Sequence, residues 1–215
     1  RDYGWKHEHH WMELLKKYPF ALTVRSGEAD RLYELTHCEI PYLRADWFVH
    51  TAARPELYHK LVTLPDYQGI PERVGTLERL LGVDLQANFD NDRIWRAGFS
   101  GKKSGVSDHN RIVERQDARY GYYWPSYDSA GDQERQNFSR FPLGPKFPGR
   151  QNFGAFDHDG GEFIFSLPNG LQGYMLAKST GERIDAGPQS IVRDPNQYGG
   201  TYDILNGISC IGCHK

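Results

Sequence analysis

Two apolar runs, "EFIFSL" at 162–167 and "LQGYMLA" at 171–177, flank Pro168-Asn169-Gly170. Asn-Gly tolerates the positive φ that a tight hairpin turn imposes, and between alternating segments it is the strongest short-range signal for an antiparallel pair. A second reversal in "KSTGE" carries the pattern on toward "SIVRD". The spacing predicts an antiparallel meander of about three strands from Glu162 to about Val192. Such a sheet must bury at least one face, which sets where the rest of the chain goes.

The first ninety residues read differently. Trp11, Leu14, Leu15 and Tyr18 recur at helical spacing and stop at Pro19, and Leu57, Leu61 and Leu64 repeat the pattern between Pro55 and Pro65. A third helix is predicted from Glu72 to Leu81, with Gly82 as its stop. From about Asp90 to Ala155 the periodicity fades and Gly, Pro, Ser, Asp and Asn become dense, as in "GFSGKKSGVSDHN" and "FPLGPKFPGRQNFG". This stretch is expected to be long, ordered loops, with Tyr120, Tyr122, Tyr123, Trp124 and Tyr127 packed against a core. The expected fold class is α+β in one continuous domain: a helical region over 1–90, a loop-rich aromatic region over 91–155, and the β meander over 156–215.

The meander delivers the chain to Cys210-Ile211-Gly212-Cys213-His214, the C-x-x-C-H pattern of c-type haem attachment. Two thiols at this spacing can each add to one vinyl group of a porphyrin, and the next imidazole then lies beneath the iron as proximal ligand. With 3 Cys and 9 His in 215 residues, random placement would produce the pattern in about two chains per thousand. A zinc site needs four ligands and the only other thiol is Cys38, while a redox dithiol is expected after the first strand of a βαβ unit. One covalent haem c is therefore the expected cofactor, held by Cys210 and Cys213 as thioethers and by His214 at the iron; zinc and a redox dithiol remain as alternatives. Cys38 reads as a small buried hydrophobe.

The sixth iron ligand separates electron carriers from haem enzymes. Upstream candidates are His50, His59, His109, His158, Met12 and Met175. His158 comes first because it adjoins the sheet that ends at the motif. Met175, His59 and His109 follow, and Met175 is equally explained as core filler. His7 and His10 would share a helix face and could take a transition metal, against the simpler reading of a solvated face. The acidic, glycine-bearing run 157–162 lacks the full calcium-loop pattern and reads as a turn before a strand. Neither a phosphate-binding loop nor a G-x-S-x-G elbow is present.

Net charge is −2 with no basic block, which argues against a nucleic-acid partner. No apolar run approaches the roughly 20 residues of a membrane helix. Arg1 in place of an initiator Met suggests a processed precursor, and Lys215, directly after the motif, suggests a C-terminal truncation.

"PYLRADWF", "SGVSDHNRIVER", "DGGEFIFSLPNGLQGYML" and "GISCIGCHK" resemble the haem-bearing region of large secreted c-type cytochrome-like proteins of environmental bacteria, over most of the chain after Pro41. A C-terminal attachment motif after β strands is also similar to the β-sheet cytochromes, namely the gas-binding β-type cytochromes c-prime and the lysine-cross-linked haem enzymes that oxidise hydroxylamine. Small class I cytochromes c, with the motif near the N-terminus, are a poorer match. The resemblance implies a periplasmic or extracellular protein whose partner is a redox protein or a larger cytochrome complex. Electron transfer is the expected role, and a peroxidase or small-nitrogen-compound oxidoreductase with open iron is the alternative.

Overall fold

The computed structural model describes residues 21–23, 26–37, 42–99, 104–145 and 153–214. The helix expected over 11–18, and with it His7, His10 and Met12, lies outside these residues, as does Cys38. The chain divides into two compact units, 1–52 and 53–215.

In the first unit β1 (Ala21–Thr23) pairs antiparallel with β2 (Tyr42–Arg44), and the helices are α1 (Ser26–Thr36) and α2 (Ala45–Ala52). The second unit opens with α3 (Pro55–Leu61), which has Pro55 in its first turn, where the missing N–H is not needed. A small hairpin, β3 (Thr63–Leu64) with β4 (Tyr67–Gln68), leads to α4 (Val74–Leu81) and α5 (Leu85–Asp90). Gly82 ends α4 in the left-handed conformation, at φ 69°. Asp84 caps α5 by accepting from Ala87 N at 2.9 Å.

A six-stranded antiparallel sheet follows: β5 (Trp95–Phe99), β6 (Arg111–Ala118), β7 (Gly121–Asp128), β8 (Gly160–Ser166), β9 (Gln172–Lys178) and β10 (Arg183–Ile184), each beside its predecessor. The fold is therefore α+β, and the sheet is twice the width expected. Three of its strands lie in the stretch expected to be loops. β6 does alternate, but two of its three buried positions, Glu114 and Gln116, are polar beside Ile112, so its hydrophobic pattern is hidden. In β7, Pro125 stands mid-strand and breaks the sequence signal. "SIVRD" is not a strand; β10 is only two residues long, and the chain returns through β11 (Ala186–Gly187) and β12 (Ile204–Leu205) to the short helix α6 (Ile208–Cys213).

Register assigns the two faces of the sheet. Phe163 pairs with Met175 and with Pro125, and Phe165 with Tyr123, so these residues share one face with Ile112 and Tyr127. α4 covers part of that face with the fully buried Leu77 and Leu81, while Phe138 and Phe156 cover the part beside Ile112 and Tyr127. The same face carries a buried polar layer in which Gln116 Nε2 donates to Glu114 Oε2 at 2.9 Å and Arg96 Nε donates to Glu114 Oε1 at 3.0 Å. Glu78 accepts from the Tyr123 hydroxyl at 3.0 Å, and burial pushes its carboxyl up to about 7.

Close strand approach is enforced at Gly161, where a Cβ would lie 1.9 Å from the Ser126 carbonyl oxygen. Gly161→Ala is expected to destabilise the protein by about 3 kcal/mol or more, read by urea unfolding. Gly98→Ala, with nothing within 4 Å, serves as the control and should be neutral or stabilising by up to ~1 kcal/mol. Equal effects for the two would contradict this packing.

Candidate functional site

The C-x-x-C-H motif lies on α6, and two glycine contacts seat that helix. Gly207, at φ 90°, begins it with so little room that a Cβ would lie 2.4 Å from Ala53 O and 2.7 Å from the Tyr58 ring. At Gly212 a Cβ would lie 2.4 Å from the Tyr198 ring, so the second residue between the cysteines must be glycine. Ile211, the first, is 40% exposed and unconstrained.

Buried polar groups complete the seat. Fully buried Asp194 accepts from Asn196 N at 3.0 Å, Tyr198 N at 2.9 Å and Ser209 Oγ at 3.0 Å, tying the loop that delivers Tyr198 to α6 itself. Fully buried Asn206 donates through Nδ2 to His59 Nε2 and turns Oδ1 toward Cys210 Sγ at 4.0 Å. His59 Nδ1 in turn lies 3.4 Å from Asp185 Oδ1. Burial, aided by the nearby Arg183 charge, lowers His59 to about 4 and keeps the ring neutral near pH 7, as its acceptor role at Nε2 requires.

Cys210 and Cys213 are three residues apart on α6 and so share a face; both are thiols, the first buried and the second exposed. Burial, reinforced by the Glu162 charge, pushes the Cys210 thiol well above its ordinary range. His214 caps the helix and its N donates to Cys210 O at 2.8 Å. Its imidazole is held by two adjacent strands: Tyr174 of β9 stacks on the ring face, with centroids 5.7 Å apart and planes at 22°, and Glu162 of β8 places Oε2 3.3 Å from Nε2. The hydrogen bond to Glu162 raises His214. Burial alone would push Glu162 up, but the hydrogen bond and charge of His214 outweigh it and hold the carboxyl below its usual value.

Cys210, Cys213 and His214 all line one cleft of about 250 Å³. Leu176, Ile184, Ile191, Val192 and Ile204 supply apolar walls, and Arg111 and Lys178 bring cationic groups to it. Arg111 pairs with Asp128, whose carboxyl burial pushes up against the pull of that guanidinium. The cleft brings together two thiols, an imidazole held by Glu162, aliphatic walls, and two cationic side chains that are paired with Asp128 and Glu182.

The expected sixth ligands are not among the lining residues. His158 is half-buried and packs on Tyr127 at 5.1 Å and Phe156 at 6.4 Å between ring centroids, and burial lowers its pKa. Met175 is fully buried in the core, on the opposite face from Leu176. His59 belongs to the seat of α6, and His109 places Nε2 3.2 Å from Ser190 O. His50 lies on α2 in the first unit. Among the described residues no group of three or more His, Cys, Asp or Glu is placed to hold a metal ion. Sequence reasoning missed Glu162, because an acidic residue in an alternating strand reads as its solvent side.

Comparison with known proteins finds no matching family model, no matching curated protein and no matching solved structure.

The neutral state of His59 makes the seat of α6 sensitive to acid. Folding lowers its pKa from 6.5 to about 4, so the unfolded chain binds the proton first. Its contribution is complete above about pH 6.5 and is lost as pH falls toward 4. His59→Gln, which keeps an acceptor for Asn206, should remove on the order of 1 kcal/mol of the stability lost between pH 7 and 4, measured by urea unfolding at each pH. Parallel stability profiles for the two proteins would contradict the assignment.

Proposed function

We propose that this chain is the haem-bearing part of an exported c-type cytochrome, with one covalent haem c, that passes electrons to or from a redox partner protein or a larger cytochrome complex. The observation that carries the reading is the convergence of both thiols and the imidazole of the motif on one apolar cleft. Cys210 and Cys213 would hold the macrocycle as thioethers and His214 would take the iron. A haem held there supplies a one-electron iron couple whose potential follows from axial ligation and burial. Leu176, Val192 and Ile204 would exclude water from its surroundings, while Arg111 and Lys178, paired here with Asp128 and Glu182, would supply cations to its carboxylates.

Volume favours electron exchange. Pockets that enclose a drug-sized ligand measure ~300–1,000 Å³, and a porphyrin is at the large end of that class. A cleft of about 250 Å³ is smaller than that, so a porphyrin seated there would keep an edge open to a partner. Thioether attachment takes place outside the bacterial cytoplasm, which makes the protein periplasmic or extracellular.

A second reading is favoured by one observation: among the described residues lining the cleft, the motif's His214 is the only His or Met. An iron without a sixth protein ligand binds small molecules, which suits a peroxidase or an oxidoreductase of small nitrogen compounds.

Intact-mass analysis of acid-denatured protein from its native source should show one added haem, because thioethers survive denaturation. The bare polypeptide mass would overturn the reading. A reduced-minus-oxidised spectrum should be unchanged by carbon monoxide in the carrier. Carbon monoxide binding together with turnover of peroxide or hydroxylamine at roughly tens per second would put the second reading in its place.

A further inference from the structure

Strand β5 closes one side of the six-stranded sheet, and among the described residues no strand pairs with its outer side. Such an edge presents a row of backbone donors and acceptors, which proteins ordinarily blunt with a lysine, a proline, a bulge or an inward-turned charge. β5 has no proline, and its pairing with β6 runs without a bulge from Trp95–Arg115 to Phe99–Arg111. Its one charged residue, Arg96, is turned inward and already engaged by the Glu114 carboxylate and by the carbonyl oxygens of Pro142 and Gly144. The edge is left open.

Alternation puts Trp95, Ala97 and Phe99 on the opposite face of the strand. Trp95 is 68% exposed and Phe99 42%, and Ala97 between them is also exposed. Arg115 of β6 lies 4.7 Å from the Trp95 ring centroid, which holds the indole in place while leaving most of it in solvent. The order of these side chains is self-complementary. An antiparallel pairing with a second copy about a two-fold axis at Ala97 sets Ala97 opposite Ala97, Trp95 opposite Phe99 of the second copy, and Arg96 opposite Gly98, where nothing lies within 4 Å of a Cβ position. The charges nearby are already matched: Arg96 by Glu114, Arg111 by Asp128, and Arg115 by the rings of Trp95 and Tyr122. A charged peptide therefore gains nothing on this face, whereas a second copy fits it residue for residue. The pairing covers about 250 Å² of aromatic surface per copy, which with the strand backbones makes a small, reversible interface.

We propose that β5 is a homodimer interface through which two copies join their sheets edge to edge, in the Ala97–Ala97 register, into one continuous antiparallel sheet. No residue of the C-x-x-C-H motif takes part, so the proposal stands apart from the haem reading and neither depends on the other.

Sedimentation velocity of the full chain from about 1 µM to 1 mM should show a reversible monomer–dimer equilibrium. Ala97→Glu opposes two carboxylates at the axis and should raise the dissociation constant at least ~10-fold, and Ala97→Lys should do the same with two ammonium groups. An equimolar mixture of these two variants should associate again, a result that misfolding of either would not give. Ala97→Cys should form, under mild oxidation, a dimer linked through position 97, with peptide mass spectrometry separating this link from any made by the native thiols. Trp95→Cys, whose opposite residue is Phe99, should not link to itself. A monomer at every concentration would overturn the proposal, as would a dimer that Ala97→Glu leaves intact, a mixture of the two charged variants that stays monomeric, or a dimer whose cross-link omits position 97.

Discussion

Strand β8 is hydrogen-bonded on both sides, to β7 through the pairs Tyr123–Phe165 and Pro125–Phe163 and to β9 through an unbroken run from Gly160–Lys178 to Ser166–Gln172. This double register decides which side chains face which way. Phe163 and Phe165 go to the core with Met175 and Tyr123, and Glu162 goes to the cleft with Leu176. A slip of one residue would exchange the two sets, burying the carboxylate among Leu77, Leu81 and Phe165 and presenting phenylalanines to the motif helix. Gly161 and Gly173 strengthen the constraint, since a side chain at either would strike Ser126 O or the Phe165 ring. The site therefore inherits its geometry from the packing of the opposite face.

Buried carboxylates are handled in different ways according to their partners. On the core face Glu114 has a guanidinium and an amide, yet burial still raises its pKa, and Glu78 has a tyrosine hydroxyl in place of a cation and rises to about 7. On the cleft face Glu162 is held below its ordinary range by an imidazole 3.3 Å away. Desolvation acts on all three, so the partner determines the outcome. Glu78, pushed up to about 7, serves the hydrogen bonds of the core, whereas Glu162 keeps its charge beside the His214 ring.

The hairpin at Asn169-Gly170 was legible because its turn chemistry and its apolar alternation agree, and the α4 stop at Gly82 because glycine there meets a left-handed backbone. The strands β5 to β7 were not. Their inward positions include Arg96, Glu114 and Gln116, polar groups that pair with one another inside the protein, and no hydrophobicity pattern exposes that arrangement. Tyr120 to Tyr127 read as aromatic loop content, yet β7 sends Tyr123 and Tyr127 into the core and Tyr122 and Trp124 to the other face. At the site, the motif announced Cys210, Cys213 and His214 by spacing alone. Glu162, Tyr174 and Asn206 carry no local signal; they become site residues only through pairings across the sheet and around α6.

Spatial order across the sheet repeats chain order, so each of β6 to β10 needs only the strand made just before it, a local pattern that favours quick assembly. α6 is different, for its anchors, Ala53, Tyr58, Asp194 and Tyr198, come from stretches far apart in the chain and must be gathered first. Long-range anchors of this kind slow docking. Until the helix docks, both thiols are open to alkylation; once it has, Cys210 is 2% exposed while Cys213 stays at the surface. Folding thereby sorts two chemically equivalent sulfurs into one that is shielded and one that stays accessible.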